Sequence, residues 1–439
     1  MARACGRLLH PLISTHSLAV AVALGSGCPA VTVLDAGVTD DAGASDAGAS
    51  DGGDADGGGD DAGPVDAGSV DAGSGDAGSG DAGSVDAGIS DAGCGTDGPD
   101  VPCAECSAAL GTVVDLGGFQ STSAPEAPLV RTDAERMLLF SDSPEAPSTS
   151  GLLFRADVPA GPARVVLYHV NGYGGGDKKV SVVVENQGSS AVTAHLERFA
   201  VPPPSTSYVE QGQAAVRAFL GADNPADKTV PADGAALLLL DNLDAIAVAP
   251  GELIHAIVDV TFDGPVGVRV VMLDAGSDTL ASYQSLAALP RDVHDRGTFA
   301  GADRRLELVG CAWPSGAQRV RVGADTALLP DPRGVDELTG ADAVLRGHYG
   351  TLVSIVLPAG ASERAVLLVP RAGSYAGAAR VTVGAGAPVV VDAPASGAVT
   401  NNTTAALLGI FPPGSAGLVE LVPAGGSSLP VDLVVLPLP

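Results

Sequence analysis

Two short acidic segments carry side chains suited to holding a cation. Asp142 and Glu145 lie in a Ser-Asp-Ser-Pro-Glu segment, and Asp241, Asn242 and Asp244 lie close together further along the chain. Carboxylate and amide oxygens are ligands that Ca²⁺ prefers, so each segment is a candidate calcium site. Acidic residues and Asn also stabilise turns without a metal, by hydrogen-bonding to nearby backbone. The sequence leaves both interpretations open.

A second candidate polar site lies in the segment Tyr168-His-Val-Asn171. Strand side chains alternate, so His169 and Asn171 share one face of a predicted strand. An imidazole beside an amide could form half of a metal site or of a proton-transfer site. The alternative is a histidine that hydrogen-bonds to backbone at a strand end. Acid–base hydrolysis would require His169 to share one pocket with Asp142 and Glu145.

Motifs of the common enzyme classes are missing from this sequence. It has no Gly-Lys-Ser/Thr and no His-Glu-x-x-His, and its Gly-x-Ser-x-Gly match at 48–52 lies inside an acidic repeat. We therefore expect a protein without a cofactor, whose role is binding, adhesive or structural. Its expected partner is an unknown envelope polymer or protein. An envelope hydrolase or other enzyme with an unfamiliar acidic and histidine site is the alternative.

The cysteine residues fit an oxidising compartment. Cys103-Ala-Glu-Cys106 has the spacing of a redox motif or of half a zinc site, but no second pair supplies the remaining zinc ligands. A disulfide within a Cys-rich collar at 94–106 is therefore the preferred interpretation. The sequence does not decide which cysteines pair. The candidates are Cys94, Cys103, Cys106 and Cys311.

Residues 1–28 have the pattern of a bacterial export signal. Arg3 and Arg7 give a positively charged start, and the apolar run at 18–24 is too short for a permanent membrane span. Small residues at 25–27 precede Cys28, which resembles the lipobox of bacterial lipoproteins, although Leu24 stands one position further from the cysteine than in that pattern. The resemblance implies a lipid on Cys28 that anchors the chain to a membrane. Cleavage without lipidation is the alternative.

Residues 29–93 form an acidic repeat without the composition of a core. An Asp recurs at every fifth position from Asp41 to Asp91, and residues 29–100 hold 17 Asp with no Glu, Lys or Arg. A period of five matches neither a helix face nor a strand face. High charge without aromatic residues predicts a disordered linker. It resembles the Asp-Ala-Gly linkers of bacterial envelope lipoproteins, which implies an exported protein at the outer membrane or cell surface.

The charge of the whole chain excludes one class of partner. Its formal net charge is −29, and its 23 Lys and Arg residues are scattered along the sequence. Neutralising a phosphate backbone requires clustered cationic side chains. We therefore expect no nucleic acid to bind.

The sequence after the collar predicts a mostly β fold. Short Val- and Leu-rich runs, such as 253–262 and 431–436, are bounded by Gly, Pro, Asp and Asn. Strands of this length and spacing predict two antiparallel β-sandwich domains, at 107–290 and 291–439. One or two short helices interrupt them. A Ser207–Glu210 capping box begins the clearest one, in which Val216 and Phe219 share a face.

Three segments of this region resemble an uncharacterised family of secreted bacterial β-rich proteins. They are Leu-Leu-Phe-Ser-Asp-Ser-Pro-Glu at 138–145, Gly-Leu-Leu-Phe-Arg at 151–155 and Arg-Val-Val-Leu-Tyr-His-Val-Asn at 164–171. The resemblance implies an extracellular β fold. It implies no established activity and no copper site.

Overall fold

The computed structural model describes residues 95–101, 103–309 and 312–439. The predicted export signal at 1–28 with its Cys28, the linker at 29–93, and the cysteines Cys94 and Cys311 lie outside these residues. Within them the chain is mostly β, and the predicted fold class is confirmed.

The secondary structure consists of short strands in four sheets, with few helices. The strands before residue 290 are β1 (Val113–Asp115), β2 (Leu129–Asp133), β3 (Met137–Ser141), β4 (Gly151–Val158), β5 (Gly161–Val170), β6 (Lys178–Asn186), β7 (Val192–Ala200), β8 (Ala226–Val230), β9 (Gly234–Leu237), β10 (Leu253–Phe262) and β11 (Val266–Asp274). Those after it are β12 (Arg296–Phe299), β13 (Asp303–Leu308), β14 (Gln318–Val322), β15 (Arg333–Asp336), β16 (Ala341–Val344), β17 (Leu352–Leu357), β18 (Arg364–Pro370), β19 (Gly377–Val383), β20 (Val389–Ala393), β21 (Thr404–Phe411), β22 (Gly417–Leu421) and β23 (Val431–Pro437). The α-helices of the described residues are α1 (Tyr208–Gly221) and α2 (Thr279–Ser282).

The sheets form two sandwiches. In the first, the eight-stranded sheet I has the order β16-β15-β12-β3-β5-β10-β7-β8, and it packs on the four-stranded sheet II, ordered β4-β11-β6-β9. In the second, the six-stranded sheet III, ordered β2-β13-β17-β22-β19-β20, packs on the five-stranded sheet IV, ordered β1-β21-β18-β23-β14. Almost all the pairs are antiparallel, while β3 pairs with β5 and β13 with β17 in parallel.

Each sandwich encloses its own apolar core. In the first, alternate residues of β10, among them Ile254, Ala256 and Val258, meet the Val-rich strands of sheet II. In the second, Ile355 of sheet III and Leu368 of sheet IV belong to one buried cluster. Burial of these β-branched and leucine side chains is the main force that holds the sheets face to face.

A third apolar cluster joins the two sandwiches through α1. Phe219 and Leu220 of this helix lie between Val166 of sheet I and Ala378 of sheet III, in one cluster with Val422. Because this cluster covers the outer faces of sheets I and III, the strands at the junction are buried on both sides. The predicted helix is confirmed, but Ser207 makes no side-chain capping bond; its N–H instead donates to Ser205 Oγ at 3.0 Å.

The sheets cross the predicted domain boundary at residue 290. Strands β12, β15 and β16 extend sheet I of the first sandwich, while β1 and β2 belong to sheets IV and III of the second. All the described residues belong to one compact unit. None of the helices in the described ranges is long and apolar enough to cross a membrane.

Candidate functional site

Strands β5 and β10 place two polar pairs on the face of sheet I that lies against the second sandwich. Tyr168 stands opposite His255 at one end, and Arg164 stands opposite Asp259 at the other, with the apolar pair Val166–Ile257 between them. The alternate residues of both strands enter the first core. A period of two therefore sends both polar pairs to the junction between the sandwiches.

An open cleft of about 260 Å³ lies at the Tyr168 end of this face. Its lining comes from strands of sheet I, from the loop segments that carry Asp142, Glu145 and His294, and from the second sandwich. Its lining residues are Phe140, Asp142, Glu145, Val166, Tyr168, His255, Ile257, His294, Tyr349, Gly350, Pro423, Gly425, Gly426, Ser427 and Ser428. We call this space the acidic cleft, because its lining includes two carboxylates and no Lys or Arg among the described residues.

Asp142 is a half-buried residue in the loop that follows β3. Its Oδ1 atom is shielded from solvent and has no hydrogen-bond partner among the described residues. Burial, reinforced by the neighbouring charges of Glu145, Asp292 and Asp295, raises the pKa of Asp142 well above its usual range. Asp142 therefore lacks the hydrogen bonds with which folded proteins normally satisfy such a group.

Glu145 is the second carboxylate of the acidic cleft, and it contacts a histidine. His294 Nε2 lies 3.2 Å from Glu145 Oε2, and His294 Nδ1 lies 3.1 Å from Asp292 Oδ2. Burial raises the pKa of Glu145, and His294 opposes that shift only in part. Hydrogen bonds from the backbone N–H groups of Glu145 and His294 outweigh burial at Asp292 and lower its pKa to about 2. Asp292 thus fixes the loop that carries Glu145.

His255 is a neutral imidazole in the wall of the cleft. Only 3% of its surface is exposed, and burial lowers its pKa to about 3. Its Nδ1 atom has no hydrogen-bond partner among the described residues. The ring meets Tyr168 edge to face, with centroids 5.2 Å apart. His255 therefore offers an unused polar atom without adding positive charge.

Aromatic rings and glycines complete the walls. The Tyr349 hydroxyl donates to the Ser427 carbonyl at 2.9 Å, and burial beside Asp142 raises the pKa of Tyr349 to about 12. A Cβ atom on Gly425 would lie 2.6 Å from Tyr168 Cε2, so only glycine allows the backbone to approach the ring this closely.

The sequence-predicted pair His169 and Asn171 supports the cleft without lining it. His169 Nδ1 donates to the Pro144 carbonyl at 3.0 Å, because a carbonyl only accepts, and Ser141 Oγ then donates to Nε2 at 2.8 Å. Burial lowers the pKa of His169 to about 4. These contacts match the interpretation of a histidine that hydrogen-bonds to backbone, here in the loop after β3 that carries Asp142 and Glu145.

Asn171 is satisfied within its own turn. Its Nδ2 donates to the carbonyls of Gly176 and Val248, at 3.0 and 2.8 Å, and its Oδ1 accepts from the backbone N–H of Tyr173. Both the amide nitrogen and the amide oxygen of this side chain therefore have partners within the turn. Asn171 and His169 therefore do not meet in a shared site.

The predicted calcium ligands fall into two separate places. Asp142 and Glu145 line the acidic cleft, whereas Asp241, Asn242 and Asp244 lie on a single π-helical turn with the first two exposed. No group of three or more His, Cys, Asp or Glu side chains in the described part of the chain is arranged to hold a metal ion.

Asp244 faces inward on that turn and already has its partners. It accepts from Ser181 Oγ, from Thr279 Oγ1 at 2.5 Å and from Lys179 Nζ at 3.0 Å. Burial would raise the pKa of Asp244, but these hydrogen bonds and the Lys179 charge lower it. The carboxylate stabilises the turn through these three donors.

Of the four candidate cysteines, the structure pairs two. Cys103 and Cys106 form a disulfide, and Cys106 packs with Val101 and Val114 against the outer face of sheet IV. The predicted disulfide collar is thus present in part, with Cys94 and Cys311 outside the described residues.

Among the cleft residues that the sequence did not predict are four with titratable side chains: Tyr168, His255, His294 and Tyr349. A signal for His255 exists in the mostly apolar strand β10, where the polar residues His255, Asp259 and Thr261 are all separated by even numbers of positions. In a strand that is buried on both faces, polar residues an even number of positions apart lie on one face and distinguish it from the apolar face. No comparable pattern marks His294 or Tyr349, which reach the cleft from loops.

No family model matches the chain, and no curated protein is similar to it in sequence. Among solved structures, a Lactobacillus farciminis oxalate decarboxylase in complex with formate is 11% identical, with 70% of this chain and 87% of that chain covered and a TM-score of 0.13. Two mutants of a Bacillus subtilis oxalate decarboxylase are 12% and 11% identical, covering 70% of this chain and 78% of theirs, with TM-scores of 0.10. Scores this low carry no argument about fold or activity.

Proposed function

We propose that this chain is a tethered cell-envelope protein whose β-rich region binds a small ligand, or one group of an envelope polymer, in the acidic cleft. The main support is a pair of buried atoms in residues that line an open cavity, Asp142 Oδ1 and His255 Nδ1, which have no hydrogen-bond partner among the described residues. Buried polar atoms without partners are uncommon because each costs about 1–3 kcal/mol. A ligand that supplies the missing hydrogen bonds recovers that free energy on binding.

The location in the proposal rests on the sequence. The export-type signal at 1–28, the lipobox-like Cys28 and the acidic linker at 29–93 would anchor the chain to a membrane and hold the β-rich region away from it. Two experiments test this part. Cys28→Ala should release the protein from the membrane fraction, and a variant that stays in that fraction would contradict the lipid anchor. Protease treatment of intact cells should remove the β-rich region, and its survival would contradict outward display.

Capture of envelope material tests the binding function. The full chain, immobilised, should retain a component of solubilised envelope polymers. Ser428→Trp places a bulky ring at the half-exposed rim of the cleft and should abolish that retention. Ser189→Trp, in an exposed loop outside the cleft lining, is the matched control and should retain the component. Equal retention by all three proteins, or none by the unmodified chain, would overturn the proposal, with circular dichroism verifying that each variant folds.

A hydrolase is the second candidate, and one observation favours it. Asp142 and Glu145 lie in one cleft with raised pKa values, as a general acid requires near neutral pH. His169, the third residue expected for this chemistry, lies behind the loop and not in the cleft. Release of soluble fragments from the captured polymer, lost in Glu145→Gln, would support hydrolysis; an unchanged polymer would leave binding alone.

A further inference from the structure

We propose that the acidic cleft recognises a primary aliphatic ammonium group, held between the carboxylates of Asp142 and Glu145 and the imidazole of His255. This inference rests on the proposed function and names the class of ligand. The ammonium would belong to a free amine or to an amine-bearing unit of an envelope polymer.

The charge of the lining selects a cation. Two carboxylates line the cleft, and no Lys or Arg among the described residues does. His255, whose pKa burial lowers to about 3, stays neutral and does not repel a positive ligand. The remaining histidine, His294, lies within 3.2 Å of carboxylate oxygens of Glu145 and Asp292. An anionic ligand would meet repulsion from these carboxylates, and no Lys or Arg among the described lining residues would offset it.

The hydrogen-bonding atoms favour a primary amine over other cations. An ammonium group carries three N–H donors and no acceptor. Asp142 Oδ1 and His255 Nδ1 have no hydrogen-bond partner among the described residues, and each accepts an N–H when Asp142 is ionised and Nδ1 is the unprotonated nitrogen of the neutral ring. Glu145 Oε2 lies 3.2 Å from His294 Nε2, but each carboxylate oxygen accepts more than one hydrogen bond, so Glu145 can also accept from a ligand. A quaternary ammonium has no N–H to satisfy these groups.

The walls suit a short aliphatic chain behind the charge. The side chains of Phe140, Tyr168 and Tyr349 offer aromatic surface, and aromatic faces attract a cation and its adjoining methylene groups. A volume of about 260 Å³ admits a small organic cation and leaves no room for a large folded ligand. The cleft is open to solvent, so the ammonium can project into it from a longer polymer.

The charge state of the cleft couples binding to pH. Burial raises the pKa of Asp142 and so favours its protonated form, whereas a bound cation favours the ionised carboxylate, so ammonium binding is coupled to release of a proton from Asp142. Affinity should therefore increase as pH rises through the elevated pKa of Asp142. The titratable and charged groups facing this site are Asp142, Glu145, Tyr168, His255, Asp292, His294, Asp295 and Tyr349.

The test is titration calorimetry of the full chain with four probes of equal chain length: n-butylammonium, 1-butanol, butyrate and butyltrimethylammonium. We expect n-butylammonium to bind at least about tenfold more tightly than the other three, because only it supplies charge and N–H donors together. Asp142→Asn, which keeps the shape of the side chain, should weaken n-butylammonium binding at least about tenfold. Asp241→Asn, the same change on an exposed turn outside the cleft, should leave binding unchanged.

The other outcomes separate this inference from the function on which it rests. Equal or tighter binding of 1-butanol, butyrate or butyltrimethylammonium overturns the primary-ammonium assignment and leaves a binding cleft for another class of ligand. The assignment also fails if no probe binds while Ser428→Trp still abolishes capture of envelope material. If no probe binds and Ser428→Trp captures as well as the unmodified chain, both proposals fail.

Discussion

The two ends of the shared face of β5 and β10 treat buried polar groups in opposite ways. At one end Arg164, with 0% of its surface exposed, donates to both carboxylate oxygens of Asp259, at 2.7 and 3.0 Å, and to the carbonyls of Ala302 and Gly350. At the other end, Asp142 and His255 keep atoms without hydrogen-bond partners in the part of the chain that the structure describes. The paired end holds two sandwiches together, and the unpaired end leaves polar atoms for a ligand.

The pKa values record the same difference. Burial alone would raise the pKa of Asp259, yet Arg164, with Arg136 and Arg198 beside it, lowers that pKa below its ordinary value. Among the described residues no Arg pairs with Asp142, and burial, with the nearby charges of Glu145, Asp292 and Asp295, raises its pKa well above the usual range. Asp259, which has cationic partners, therefore has a structural role, whereas Asp142, which has none among the described residues, marks a candidate site.

The largest expected effect is at the paired end. Arg164→Met should lower the free energy of unfolding by about 3–5 kcal/mol, because it leaves the buried Asp259 charge without its main partner. Urea denaturation followed by circular dichroism measures the change. Arg305→Met breaks an exposed pair with Glu307 and should cost less than about 1 kcal/mol. Equal losses in both variants would contradict a structural role for the Arg164 end.

A smaller effect is expected from the neutral histidine of the cleft. The pKa of His255 is about 3 in the folded state, so the unfolded chain binds the proton more tightly. Stability from this group is therefore present above the unfolded pKa of about 6.5 and is lost as pH falls, by about 2 kcal/mol at pH 5.

His255→Leu should remove this contribution to the loss of stability at low pH. The unfolding free energy at pH 7 and pH 5 measures it, and His255→Leu should show the smaller difference between the two values. His195→Leu replaces an exposed histidine and should keep the full loss. If the unfolding free energy of His255→Leu falls between pH 7 and pH 5 as much as that of the unmodified protein, the buried imidazole is not held neutral.

The smallest expected effect is a gain in stability. Asp142→Asn should raise the free energy of unfolding near pH 7 by about 1 kcal/mol, because a neutral amide loses less by burial than a carboxylate without a partner. The folded pKa of Asp142 is raised, so wild-type stability from this group falls as pH rises above the unfolded value of about 3.9. The variant should lose this slope, whereas Asp241→Asn should keep it. A clear loss of stability in Asp142→Asn would show that the carboxylate holds its loop.

The sequence predicts the strands far better than their partners. The predicted run at 253–262 coincides with β10, and most other long apolar runs became strands. Short polar strands such as β12, β15 and β16 were missed, because their stability comes from pairing within sheet I and not from local apolar character. For the same reason no local pattern foretold that these strands extend sheet I.

The site was predicted only in part. Asp142 and Glu145 were recognised by type, and the structure puts both in one cleft. The partnership of Tyr168 with His255 depends on the register between two strands far apart in sequence, which local periodicity does not set. Tyr349 comes from the second sandwich, so its place in the cleft depends on how the two sandwiches pack.

A crystal structure of the full chain with n-butylammonium tests the central claim most directly. We predict the ammonium nitrogen within about 3 Å of an Asp142 carboxylate oxygen, with the butyl chain against Tyr168 or Tyr349 and no ligand at the Arg164–Asp259 end. An empty acidic cleft with the amine bound elsewhere on the protein would contradict the claim that unpartnered polar atoms mark the binding site.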